Sequence, residues 1–223
     1  MDLQALLLSM KLGAATVAVL LPLALVAGRL LALRRFPGKG AVEALLALPL
    51  LLPPTVIGFY LLVALGRGTP AGDAFEALTG TTLAFSFPGL LLASVLVNVP
   101  FAVQPVQRAF EAIAPDLREA AACCGMRPWT AFLRVELPLA WPGIVSAIAL
   151  VFAHTLGEFG VVLMVGGAIP GETRTASIAI YDRVQAFDDG GAAAMSATLL
   201  ALSLLALAVV HGLAARRRGG RGR

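Results

Sequence analysis

Long apolar runs alternate with short polar stretches along this chain, the pattern of helices that cross a bilayer rather than of faces packed on a soluble core. A helix rising about 1.5 Å per residue needs roughly 20 apolar residues to traverse a hydrocarbon core of about 30 Å. Five windows qualify: about Leu8 to Leu33, Ala44 to Leu65, Thr81 to Val106, Pro138 to Val165 and Ala192 to Val210. The second, third and fifth carry no charge, and Lys11 lies near the start of the first, where its stem lets the ammonium snorkel to the interface. This predicts an all-α polytopic membrane bundle of about five transmembrane helices. A sixth fits only as an interfacial or re-entrant segment.

Outside these windows, Thr173 to Phe187 spaces Ile178, Tyr181 and Val184 at helical intervals among charged residues. It predicts a short amphipathic helix lying at the membrane surface.

Composition supports the same class. With 59% hydrophobic and 13% charged residues, the chain lacks the polar surface a soluble domain requires. Its 223 residues leave no room beside the bundle for a soluble ATPase or receptor domain. The net charge of +4 argues for orientation in the membrane rather than nucleic-acid binding, because 13 of the 17 Lys and Arg lie in alternate polar stretches: residues 29–39, 108–134 and 216–223. The positive-inside rule then puts the C-terminus in the cytoplasm and, with five spans, the N-terminus outside. The first apolar run is too long for a cleaved signal core. Residues 1–215 are expected to form the membrane domain and 216–223 an irregular basic cytoplasmic tail. Cys123 and Cys124 are adjacent and lack a zinc-like partner set, so they are expected to be reduced packing residues.

The polar stretch from Pro115 to Pro138 carries the most local information. Pro115 and Asp116 suit a helix start, Glu119 to Cys124 are mostly helix formers, Gly125 suits a left-handed stop, and Pro128 opens a second helix. A helix, a sharp turn and a second helix are predicted, with Trp129, Phe132 and Leu133 exposed or half-buried. Ala120, Ala121 and Ala122 form a small face that a partner surface could approach closely. Glu119 and the neighbouring arginines are expected to supply its polar contacts.

Glu119-Ala120-Ala121, Gly125, Val135 and Leu137-Pro138 stand at the spacing of the "EAA…G…LP" loop, and the chain resembles the permease subunits of type I ABC importers, with Val135 in place of the usual Ile. The resemblance implies that Glu119, Ala120, Ala121, Gly125, Leu137 and Pro138, within coupling helices at about 115–135, transmit motion from a separate ATPase. It implies a homodimer in the bacterial plasma (inner) membrane, two ATP-binding subunits and an extracytoplasmic binding protein. ATP and Mg²⁺ would belong to the ATPase, with no cofactor, metal or nucleic acid bound by this chain and no enzymatic activity of its own. No Gly-x4-Gly-Lys-Ser/Thr loop occurs in the sequence.

Within that family, Phe36-Pro37-Gly38-Lys39, Leu52-Pro53-Pro54-Thr55-Val56, Leu156-Gly157-Glu158-Phe159-Gly160 and Ile169 to Thr175 are similar to the molybdate permeases. One departure is His154, where a basic Arg is expected. Tungstate or sulfate are alternative cargoes. An ATP-independent secondary anion carrier, or a metalloenzyme built on His154 and Glu158, are rivals of other classes.

Glu158 sits at membrane depth, where a charge costs roughly 2.5–3.5 kcal/mol, so it must face protein or water. A gate or helix-end contact fits it better than coordination of an anion, and Gly157 and Gly160 predict a bend there. Pro49, Pro53 and Pro54 predict a kink or break in the second span. Pro53, Pro54, Thr55 and Gly58 are accordingly expected, with Glu158, along the translocation path or gate. Asn98 and Gln104 are expected to make interhelical hydrogen bonds. Arg174 and Arg183 are expected at the outer surface, facing either solvent or a binding protein.

Overall fold

Helices are the only regular elements among the described residues, 2–219, of the computed structural model. They are α1 (Leu3–Leu33), α2 (Lys39–Leu51), α3 (Pro54–Leu65), α4 (Pro70–Thr79), α5 (Phe87–Glu111), α6 (Pro115–Cys123), α7 (Pro128–Ala131), α8 (Leu137–Gly157), α9 (Gly160–Gly166), α10 (Ala176–Gln185) and α11 (Asp189–Gly219). A π-helical turn, Phe132–Glu136, joins α7 to α8 without a break.

Among the described residues four helices are long and apolar enough to cross a membrane: α1, α5, the continuous α7–α8 rod and α11. The pair α2 and α3 qualifies only together, and it is bent by 106° at Leu52-Pro53. Pro53 and Pro54 lack the N–H donors that would continue the ladder. The second span is therefore a broken element rather than the single rod its hydropathy suggests.

The third span begins at Phe87, not near Thr81, because Ser86 caps it: its Oγ accepts from the Gly89 N–H, and Pro88 suits the first turn. The prolines at 100 and 105 are carried inside α5. The fifth span continues helical through Gly219, so the backbone at Arg216–Arg218 belongs to α11 rather than to an irregular tail. Residues 220–223 lie outside the described residues. The stretch Pro70–Thr79, which the apolar pattern did not suggest as an element, forms α4, capped by the Thr69 hydroxyl.

The core centres on α5, which packs along α1 and α8 and also meets α2 and α9. Gly143 of α8 lets the chains approach: a Cβ there would fall 2.4 Å from the Ala109 Cβ and 2.5 Å from the Pro105 carbonyl oxygen. Polar side chains buried in this core are hydrogen-bonded across helices, as burial in apolar surroundings requires. Thr16 Oγ1 lies 2.9 Å from Ser94 Oγ, and the Asn98 amide donates to the Ser94 carbonyl at 2.8 Å and to Thr155 Oγ1 at 3.2 Å. Asn98 thus makes the expected interhelical bonds, whereas Gln104 is exposed and the neighbouring Gln107 takes that role, donating to Glu43 of α2.

The connections sort to two ends. One gathers the end of α1, the start of α2, the end of α5, and α6–α7, tied by Arg29–Glu136 and Gln107–Glu43 contacts. The other gathers the start of α1, α9 and α10, tied by the Ser9 hydroxyl to the Ala176 N–H and by Arg174 to Asp2.

The amphipathic element exists as α10, with a different inner face from the one its spacing suggested. Ala176, Ile178 and Ala179 are buried against the bundle, while Tyr181 and Val184 are exposed. Ile178 keeps its place on the inner face, and Ala176 and Ala179 join it because α10 lies close against α1, α8 and α11. Arg174 and Arg183 are engaged within the chain, with Asp2 and Asp182 and with Asp188 respectively, rather than free at the surface.

Candidate functional site

The helix starts and stop foreseen between Pro115 and Pro138 are present, but Ala121 is buried rather than part of an exposed small face, and Cys123 and Cys124 are exposed rather than packed. Pro115 opens α6 and Asp116 lies in its first turn. The helix ends in a Schellman arrangement: Met126 N–H reaches the Ala121 carbonyl at 3.1 Å, and Gly125 N–H the Ala122 carbonyl at 2.9 Å. Gly125 holds φ +71°, and a Cβ there would meet nothing, so only backbone conformation demands glycine. Pro128 then opens α7.

The result is a projecting helix–turn–helix. Glu119, Ala120 and Gly125 are exposed, together with Cys123 and Cys124, while Ala121 is buried against the bundle. Leu137 and Pro138 are half-buried at the root, where α8 begins. Trp129 is 69% exposed and Phe132 half-buried between the Trp129 and Phe110 rings.

What holds this projection is a charge cluster that inspection of the sequence passed over. Glu136 is 4% exposed at the head of α8. Its carboxylate accepts from Arg29 Nε and, at 3.1 Å, from Arg29 Nη2, a two-point pairing across the end of α1. Arg118 Nε lies 3.4 Å from Oε1 of the same carboxylate, the oxygen that also accepts from Arg29 Nη2. Arg118 also donates at 2.8 Å to the Phe110 carbonyl in the last turn of α5 and at 3.3 Å to the Ile113 carbonyl just beyond it. One arginine of α6 thereby meets α5 directly and, through Glu136, is linked to the head of α8 and to Arg29 of α1.

Arg118 therefore turns inward, and the sequence-based assignment of the arginines beside Glu119 to a partner surface does not hold for it. The available signal was an acidic residue directly ahead of an apolar run, opposite an arginine in the last turns of another. A π turn carries one residue more than an α turn, so it rotates the helix beyond it by about 100°. This lets a continuous rod present Trp129 outward and Glu136 inward.

The second group of expected residues lies at the far end of α8, whose 21 residues span about 30 Å. Here α8 stops at Gly157, and Glu158 and Phe159 form a break before α9. Glu158 is buried, and its Oε1 accepts from the Val161 N–H at 3.1 Å, capping α9. Its other oxygen lies 3.7 Å from His154 Nε2. His154 Nδ1 is 3.1 Å from Asn98 Oδ1, and its ring stacks on Phe101. No group of three or more potential metal ligands occurs among the described residues.

This break meets the one in the second span. A Cβ at Gly160 would lie 2.9 Å from the Pro54 Cβ, so the two discontinuities are in contact. Pro53, Pro54 and Thr55 are exposed there. Gly58 is not: a Cβ on it would come within 2.8 Å of the Met164 Cβ, so it serves the α3–α9 packing. The structure thus brings Pro54 and the Glu158 break together and leaves the Glu119–Gly125 group at the opposite end.

Comparison with known proteins agrees with this geometry. Residues 21–219 match the family described as "Binding-protein-dependent transport system inner membrane component". The chain is 45% identical over 210 residues to the molybdenum transport system permease protein ModB of Azotobacter vinelandii, covering 94% of this chain and 93% of that protein. It is 38% identical to the Escherichia coli K12 protein of the same name, covering 98% and 96%, and 35% identical to the E. coli sulfate transport system permease protein CysT, covering 82% and 65%. In fold it matches a bacterial ABC transporter that imports alginate at TM-score 0.71 and 16% identity, covering 97% of this chain and 78% of the other. A related structure, with an alginate pentasaccharide-bound periplasmic protein, matches at TM-score 0.76, covering 96% and 78%. By the match over most of its length and by its helical architecture, this chain belongs to the inner-membrane components of binding-protein-dependent transport systems.

Proposed function

We propose that the chain is the permease subunit of an ATP-driven importer, translocating molybdate delivered by an extracytoplasmic binding protein. The observation that carries the coupling role is the exposed Glu119–Gly125 turn, standing out from one bundle end while Arg118 joins its root to α5 and, through Glu136, to α8 and α1. A push on that turn reaches α1 through Arg29–Glu136, α5 through Arg118 and α8 through Glu136 itself. The chain acts as a lever without covalent chemistry, and the nucleotide site and its Mg²⁺ belong to the partner ATPase.

The end bearing the turn carries the basic stretches 29–39 and 108–134, which supports placing it in the cytoplasm and the N-terminus outside. Two copies would enclose the pore. The exposed break at Pro53–Thr55 and the neighbouring Glu158 lie about a bilayer's depth away, where gating of a path between copies would act. Glu158 itself is engaged in capping α9, so its role is to hold the gate's shape rather than to touch an anion.

Support for molybdate is the likeness to molybdenum permeases over nearly the whole chain. Sulfate is the second reading, supported by the likeness to the sulfate permease. Proteoliposomes holding the complex, its binding protein and ATP should accumulate radiolabelled molybdate. Tungstate and sulfate serve as competing cargoes. Preferential uptake of sulfate would transfer the assignment to it, and uptake without any ATPase subunit would remove the coupled mechanism altogether.

A further inference from the structure

A groove of about 550 Å³ runs between α1 and the coupling loop, walled by Pro22, Val26 and Leu30 on one side and by Trp129 and Phe132 on the other, with Arg29 at its end. From Pro22 to Leu30 it follows α1 for about 12 Å, close to the acyl depth of one leaflet, roughly half of a 30 Å core. Val26 and Leu30, on the α1 wall, are 62% and 49% exposed. A soluble partner cannot reach the Pro22 end, which lies within the apolar run of a membrane span.

We infer that this groove binds one anionic phospholipid, its acyl chain along α1 beneath Trp129 and its phosphate at the arginine end. Apolar walls fix the chain. Trp129 stands where an indole ring sits at a membrane interface. The charge at the headgroup end is positive: Arg29 pairs with Glu136 through Nε and Nη2 and has Nη1 beyond that pair. Arg127, directly before the lining residue Pro128, is exposed with no ion-pair partner among the described residues. No acidic residue lines the groove. One wall belongs to a span and the other to the coupling loop, so the lipid steadies the lever at its root. The inference rests on membrane insertion and not on the identity of the cargo.

The test is native mass spectrometry of the purified transporter complex, given dioleoylphosphatidylglycerol or dioleoylphosphatidylcholine. Wild type should retain phosphatidylglycerol preferentially, and Arg127→Gln, a change on an exposed loop, should weaken that retention about fivefold. Val26→Trp, which fills the groove, should remove one bound lipid per subunit. A photo-crosslinking side chain at position 26 should label lipid. Equal retention of the two lipids by wild type, retention unchanged in both variants, or crosslinking of position 26 to a second copy of the chain or to another polypeptide would each overturn the assignment. If Val26→Trp fails to assemble, Arg127→Gln and the crosslink still decide. Because neither readout involves transport, a transporter that proved to carry sulfate would leave this result intact.

Discussion

The two regions proposed to carry function are built on opposite principles. At the coupling turn, Glu119, Ala120 and Gly125 face outward and contribute little to the subunit's own packing, while the stabilising contacts lie behind them in the Arg29–Glu136–Arg118 cluster. At the paired breaks the reverse holds: Glu158, Gly58 and Gly160 are consumed in capping and close packing. The projecting turn, proposed to meet a partner, has its tip free and its root fixed. At the paired breaks the interrupted backbone is satisfied from within. Damage at the tip should therefore cost function without stability, and damage at the root or the breaks should cost stability first.

The largest effect is expected at the tip. Gly125→Trp and Glu119→Lys should reduce ATP-driven uptake to background and weaken co-purification of the ATPase, with the subunit still inserted. The left-handed conformation at Gly125 adds a penalty of only about 1–2 kcal/mol to the tryptophan variant. Normal uptake by both variants would dissolve the contrast between tip and root.

Glu136→Ala comes next. Removing one partner of a buried charge cluster costs about 3–5 kcal/mol, and the low end applies because the Arg29 side chain is 32% exposed. Denaturant unfolding in detergent should show that loss, with Glu136→Gln intermediate because it keeps an acceptor. A cycle with Arg118→Ala should be strongly non-additive. Additivity would mean that the cluster does not act as one clamp.

Helix contact is the third lever. Gly143→Val forces side-chain atoms against Ala109 and the Pro105 carbonyl, and overpacking of this kind costs about 1–3 kcal/mol. A lowered melting temperature with an unchanged affinity for the ATPase is expected. At the breaks, Glu158→Ala removes the α9 cap at about 1 kcal/mol, whereas Glu158→Gln retains an acceptor and should stay near wild type. If Glu158→Gln were instead inactive at wild-type stability, the carboxylate's charge would matter to transport and not only to the cap.

The smallest effect concerns Asp188, before α11. The Gly191 backbone N–H, and then the Arg183 guanidinium, hold its pKa below the ordinary carboxylate value. A depressed native pKa gives stability that is fully present above the unfolded-state value and lost as pH falls through the native one. The melting-temperature difference between wild type and Asp188→Asn should therefore narrow on acidification. A pH-independent difference would remove the ionic part of this cap.

Much of the molecule was legible from its residues alone. Unbroken apolar runs located the spans, because a helix in hydrocarbon must be apolar over its full crossing. Pro115, Gly125 and Pro128 located the projecting turn to the residue, since starts and stops of helices are dictated by local backbone chemistry. The breaks near Pro53 and Glu158 were likewise written in proline and glycine. The face of α10 was misjudged because spacing reveals which residues align, not which side a neighbour will cover. Gly58 falls outside the exposed break for the same reason: its role is set by Met164, far along the chain.

The sequence alone thus determined class, spans and the helix–turn–helix after Pro115, because each depends on neighbours within a turn or two. Only the tertiary structure decided that Arg118 faces inward and that Pro54 touches Gly160. It alone joined Arg29 to Glu136, 107 residues apart. Such pairs are fixed by how whole helices cross, and the energy that selects a crossing is spread over packing that no local pattern contains.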